Sequence, residues 1–177
     1  KIVVRILNFS LDRPDLQTLG YEHDDIAKLR AAIAQPHGLI LMTGPTGSGK
    51  TLSLYSCLDL LNRPEINIST VEDPSEIHLP GANQVNINER AGLTFAASIR
   101  ALLRQDPDVI MVGEIRDEES ACIAQKAGTS GHMVLSTVHS NSSPESITRL
   151  LSFGLKGSRI STARTPALKC AKNITRL

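Results

Sequence analysis

The sequence predicts an α/β fold: an open, largely parallel sheet with helices covering both faces. Three observations carry that expectation. Short apolar runs alternate along the chain with helically spaced apolar residues, the order that successive strand–helix units produce. Gly44-Pro45-Thr46-Gly47-Ser48-Gly49-Lys50-Thr51 fits G-x-x-x-x-G-K-[ST] and lies between a strand-like and a helix-like stretch, the context this phosphate-binding loop requires. Acidic residues end two further strand-like runs, Ile66–Val71 and Asp108–Val112, where open α/β sheets place their ligands.

The elements follow in order. Lys1-Ile2-Val3-Val4-Arg5-Ile6-Leu7 reads as a strand with no hairpin partner nearby. It is expected to close a preceding domain that lies mostly outside the chain, and the lack of an initiator Met points to a piece of a larger protein. Asn8 to Leu19, with Pro14, reads as a linker. Asp24 to Ala34 carries Ile26, Ala27, Leu29, Ala32 and Ile33 at helical spacing, and Pro36 stops it. His37 to Thr43 is a short buried strand entering the glycine-rich loop, and Leu52 to Leu61 is the helix leaving it. Ile66 to Val71 alternates and is rich in β-branched residues, so it reads as a strand; Gln84 to Asn88 is a shorter one. Thr94 caps a helix to Arg104, Asp108 to Glu114 is a buried strand, and Asp117 to Gly128 is a helix opened by acidic residues, as its dipole prefers. Gly131 to Thr137 is another buried strand and Pro144 to Leu151 a helix. Ser152 to Leu177 is basic and polar with weak periodicity.

The loop's residue types state its chemistry. Gly44, Gly47 and Gly49 keep side chains away from a passing triphosphate and allow the unusual dihedrals of the turn. Backbone N–H groups of the loop, those of Thr46 and Ser48 included, and the start of the next helix face the phosphates, while Pro45 has no N–H to offer. Lys50 adds a point charge near the β- and γ-phosphates, and Thr51 offers a hydroxyl to magnesium. A bound nucleoside triphosphate, ATP with Mg2+, is the expected ligand.

Hydrolysis needs an acid to organise the metal and a group to position water. Val109-Ile110-Met111-Val112-Gly113-Glu114 supplies the first candidate, four apolar residues running to Glu114. Glu72, Asp73 and Glu76 end a different strand and are candidates for the second. Each alone reads as a solvated loop acid; two clusters on separate strands beside a phosphate loop point to a site. His132 and His139 bracket a buried strand and read either as packed histidines or as γ-phosphate sensors at the strand end. Arg5, Arg100, Arg104 and Arg116 read as ion-pair partners, any one of which is also a candidate arginine finger.

Composition excludes several classes. The 177 residues allow one ordinary domain and a fragment of another. A net charge of +1, with 3% aromatics and no Trp, argues against a nucleic-acid groove that stacks bases. Cys57, Cys122 and Cys170 form no C-x-x-C pair, so neither a zinc site nor a disulfide framework is expected. No apolar run reaches the roughly 18 residues that a membrane span needs.

At these motifs the chain resembles a known family, the type II secretion and type IV pilus assembly ATPases. The resemblance runs from Lys1 to about Gly154 and rests on four blocks in order. These are the phosphate loop at 44–51, an aspartate box Ser69-Thr70-Val71-Glu72-Asp73-Pro74-Ser75-Glu76, the stretch from Leu103 to Asp117 containing Gly113-Glu114, and a histidine box from Gly131-His132 to Val138-His139. It implies a RecA-like P-loop NTPase core. It also implies a homo-hexamer at the cytoplasmic face of the inner membrane, peripheral to it, acting on an inner-membrane platform protein and not on nucleic acid. By the same resemblance Glu76 is the general base, Glu114 organises magnesium with Thr51, and Arg5 is a γ-phosphate contact. Residues 1–19 become the end of an N-terminal domain with its linker, 20–154 the ATPase domain and 155–177 a divergent basic segment. Asn67-Ile68-Ser69-Thr70 and Leu79 to Asn86 look more like the pilus extension motor than its type II secretion cousin. The chain departs from the family in three ways. Ser75 stands where Val is usual, Gly128-Thr129-Ser130 replaces an Ala-rich helix end and implies a looser turn there, and a four-cysteine zinc segment is absent.

Overall fold

A computed structural model describes residues 15–140, 143–153 and 173–176. The predicted strand at 1–7, Arg5, most of the linker, residues 141–142, residues 154–172 with Gly154 and Cys170, and Leu177 lie outside the described residues. The elements are α1 (His23–Ile33), β1 (Gly38–Gly44), α2 (Lys50–Leu61), β2 (Ile68–Glu72), β3 (Asn83–Asn86), α3 (Phe95–Leu102), β4 (Val109–Val112), α4 (Glu118–Thr129), β5 (Met133–His139), α5 (Ser143–Ser152) and β6 (Asn173–Arg176).

The strands form one sheet in the order β3-β2-β4-β5-β1-β6. The first five are mutually parallel, and β6 runs antiparallel to β1, with Ile40 opposite Arg176 and Thr43 opposite Asn173. The α/β expectation is therefore met. β6 was not foreseen, because a four-residue polar strand carries no periodicity of its own and exists by pairing with the edge of β1.

Alternation along the central strands feeds two cores. Ile40, Met42, Met111, Met133 and Leu135 face Leu29 and Ile33 of α1 and Leu54, Tyr55 and Leu58 of α2. Leu39, Leu41, Ile110, Val112, Val134 and Val138 face Ile99 and Leu102 of α3 and Ala121, Ala124 and Ala127 of α4. Strands buried on both faces read as continuous apolar runs for this reason. Leu16 is only 2% exposed and joins the first core, so the end of the expected linker is packed into the domain.

The helix ends follow local chemistry. Thr94 Oγ1 accepts from Ala97 N–H at 3.2 Å and Asp117 Oδ1 from Ser120 N–H at 2.8 Å, each capping its helix. The end of α4 is not loose. Thr129 Oγ1 donates to the Gln125 and Lys126 carbonyls, and Ser130 Oγ donates to Ala127 O. Gly128 lies directly on β1: a Cβ there would stand 3.0 Å from the Gly38 carbonyl carbon and oxygen.

Candidate active site

Five parallel strands place five carboxyl-end loops on one rim, and the site is built there. β1 delivers the glycine-rich loop. Gly47 (φ 77°) and Gly49 (φ 80°) take left-handed conformations, which bends the loop back so that α2 begins at Lys50 with its amides toward the turn. A cavity of about 520 Å³ opens over the loop. Its first wall is Thr46, Gly47, Gly49, Lys50 and Thr51. Glu72, Asp73 and Glu76 come from the end of β2, Glu114 and Arg116 from the end of β4, and Thr137 and His139 from the end of β5.

Lys50 is 7% exposed. Its Nζ donates to Gly44 O and Pro45 O, both at 2.8 Å, and lies 3.5 Å from His139 Nδ1. Burial draws its pKa below the ordinary lysine value, and the Glu114 charge acts against that shift. Glu114 is shared. Its Oε2 accepts from Arg116 Nε at 2.8 Å and its Oε1 lies 3.4 Å from His139 Nε2. Arg116 reaches on to Asp73 Oδ2 at 3.0 Å, and its guanidinium stands 5.7 Å from the Phe95 ring centroid. The Glu114 hydrogen bond holds Arg116 protonated beyond its already high ordinary pKa. A continuous polar chain thus runs Lys50–His139–Glu114–Arg116–Asp73 across four loops.

The three acids at the end of β2 and in the loop after it separate clearly. Glu72 is buried and committed: Tyr55 OH donates to Oε2 and Thr70 Oγ1 to Oε1, each at 2.6 Å, with Gln84 Nε2 at 3.4 Å from Oε1. Asp73 is tied to Arg116. Glu76 is half-buried on the cavity wall. For a metal, Thr51 and Glu114 bring oxygen donors to the same cavity. No cluster of three or more His, Cys, Asp or Glu able to cage an ion occurs among the described residues.

Other expected site residues fall elsewhere. Gly44 and Pro45 turn their carbonyls to Lys50 and do not line the cavity; Ser48 does not line it either, and its Oγ is buried without a hydrogen-bond partner. His132 precedes β5, at the opposite end of a seven-residue strand from His139. At about 3.3 Å per residue, that is some 20 Å from the rim. Its Nδ1 lies 3.3 Å from Ala127 O, so the packed reading fits it and the sensor reading does not. Arg100 pairs with Glu119, and Arg104 is exposed in the turn that follows α3 and does not line the cavity. Tyr55 and Gln84 were missed as site-related residues: one reads as helix core and the other as a strand polar residue, and only the fold brings both to Glu72.

The model of the type II/IV secretion system protein family matches residues 1–176. The type IV pilus assembly ATPase PilB of Pseudomonas aeruginosa is 57% identical over 163 residues, which are 92% of this chain and 29% of that protein. The type II secretion system protein E of the same organism is 50% identical over 156 residues, 88% of this chain and 31% of that protein. Among solved structures, the pilus retraction motor PilT with bound ADP superposes with a TM-score of 0.74 at 31% identity, covering 96% of this chain and 53% of that one. The chain thus spans less than a third of the length of these two sequence relatives.

Proposed function

The chain belongs to the type II/IV secretion system protein family, and from that premise we propose that it is the ATP-hydrolysing domain of a type IV pilus assembly ATPase, powering pilin polymerisation. The observation that carries the reading is the convergence of the phosphate loop, Glu76 and Glu114 on one cavity, in a chain 57% identical to a pilus assembly ATPase.

The chemistry follows from the side chains. The triphosphate lies on the loop amides and the start of α2. Lys50 turns from the Gly44 and Pro45 carbonyls to the β- and γ-phosphates. Magnesium, carried in on the nucleotide, supplies charge neutralisation; it needs only one or two protein oxygens beside phosphate oxygens and water, a demand that Thr51 and Glu114 fit. Glu76 holds the attacking water and accepts its proton as oxygen bonds to the γ-phosphorus. The bond to the β–γ bridging oxygen breaks, giving ADP and phosphate. His139, against both Lys50 and Glu114, reports the state of the phosphates to β5. Arg5, which lies outside the described residues, is the proposed contact to the γ-phosphate.

In its full-length setting the protein is proposed to form a homo-hexamer on the cytoplasmic face of the inner membrane, engaging a platform protein there. No helix among the described residues is long and apolar enough to cross a membrane. The second reading, a type II secretion ATPase, is favoured by the 50% identity to protein E. Replacing the chromosomal gene with a Lys50→Ala copy separates them. Loss of surface pili with secretion intact is expected. Intact piliation with lost protein secretion would overturn the pilus assignment.

A further inference from the structure

In sequence, Gln84 to Asn88 reads only as a short strand; in the fold β3 is an edge strand, and two of its side chains grip the loop that carries Glu76. Asn86 Oδ1 accepts from Ser75 N–H at 2.7 Å, immediately before Glu76. Gln84 Nε2 donates to Ile77 O at 2.8 Å, immediately after it, while Gln84 Oε1 accepts from Leu79 N–H at 2.9 Å. Gln84 and Asn86 are two apart on one strand and so share a face. The orientation of the Gln84 amide is fixed chemically, because a flipped amide would set NH2 against the Leu79 N–H and oxygen against the Ile77 oxygen. The same Gln84 nitrogen lies 3.1 Å from Tyr55 OH, which donates to Glu72 on β2. Tyr55 belongs to α2, the helix that starts at Lys50. The backbone on both sides of Glu76 is therefore tied to β3, and through Gln84 to the phosphate-loop helix.

We propose that Gln84 and Asn86 are positioning residues for Glu76, holding its loop at a fixed distance from the γ-phosphate, with Tyr55 registering that loop against the phosphate loop. This rests on the reading of Glu76 as the water-positioning base. It also explains why Ser75 is tolerated where Val is usual: the clamp takes the Ser75 backbone N–H and is indifferent to its side chain.

The test is steady-state hydrolysis by the full-length protein and its Asn86→Ala, Asn86→Asp, Gln84→Ala and Glu76→Gln variants, with nucleotide affinity and thermal midpoint measured beside it. Asn86 is exposed on an edge strand, so its variants are expected to fold. Small misplacements of a catalytic group cost on the order of 10²-fold in rate. Asn86→Ala and Gln84→Ala are therefore expected to lower kcat about ten- to hundred-fold with KM and nucleotide affinity unchanged. Asn86→Asp, which keeps the acceptor oxygen, is expected to restore most of the rate. Asn86→Ala added to Glu76→Gln should cost nothing further. If Glu76→Gln abolishes turnover but the two alanine variants keep the parent kcat, the clamp is wrong. A rate in Asn86→Asp as low as in Asn86→Ala would also overturn it. If Glu76→Gln turns over normally, the base assignment itself falls, and the clamp loses its object with it.

Discussion

At the scale of single residues the site is defined by what each charge is already bound to. Lys50 donates to two loop carbonyls and pays desolvation for its position, so a phosphate is a better partner than the protein offers it. Lys50→Ala should abolish hydrolysis. It should also weaken nucleotide binding by about 1.5–3 kcal/mol, the worth of a hydrogen bond to a charged group, read by titration calorimetry; parent-level turnover would sink the phosphate-loop assignment. Cys57 makes a second test. It is fully buried, and burial pushes its thiol up to about 12 from the ordinary 9.0. The unfolded thiol deprotonates first, so this group's contribution to stability is whole below about pH 9 and is lost as pH rises toward 12. A maleimide at pH 8 should therefore leave Cys57 unlabelled until denaturant is added, whereas the half-buried Cys122 reacts sooner. Mass spectrometry of the peptides decides it; rapid labelling of Cys57 in the native protein would contradict its burial.

At the scale of elements, much was legible because the determining chemistry is local. The caps at Thr94 and Asp117, the helix leaving the phosphate loop and the buried strands all follow from residues within a few positions of each other. Lys50, Thr51, Glu76, Glu114 and His139 reach one cavity because each stands at or just past the carboxyl end of a strand. Of the two readings of His132, the packed one fits for a reason the sequence itself contains: it precedes its strand, and in a parallel sheet the ligand lies beyond the carboxyl ends. β6, Gln84 and Tyr55 were not legible, because their partners are set by register across the sheet and by a helix nearly thirty residues away. Gly128 is a further non-local feature. Alanine there gains about 1 kcal/mol of helix propensity but forces a Cβ onto the Gly38 backbone at 3.0 Å, and overpacking costs about 1–3 kcal/mol. Gly128→Ala should lower stability by roughly 1 kcal/mol net; a higher urea midpoint in the variant would show that β1 yields easily.

At the scale of the whole molecule, the sheet order brings together groups far apart in sequence. β4 lies between β2 and β5, and β5 beside β1, so Glu76, Glu114, His139 and Lys50 arrive on adjoining loops. The rigid two-faced core beneath fixes those loops relative to one another. Binding and hydrolysis then make different demands. On the proposed reading the groups for nucleotide binding all lie in this domain, whereas hydrolysis also needs a cation against the γ-phosphoryl group, for which Arg5 is the candidate. Residues 1–177 by themselves are expected to bind nucleotide and turn it over slowly, with the rate rising in the full-length protein and falling again on Arg5→Ala there; equal rates per site in the short and long forms would contradict this. The proposed division of work between two carboxylates in one cavity is tested most directly by titrating Mg-ATP and magnesium-free ATP against Glu76→Gln and Glu114→Gln while recording turnover. Glu76→Gln is predicted to bind Mg-ATP like the parent with turnover lost, and Glu114→Gln to lose the magnesium dependence of binding together with the rate. Identical loss of Mg-ATP binding in both variants would contradict the division.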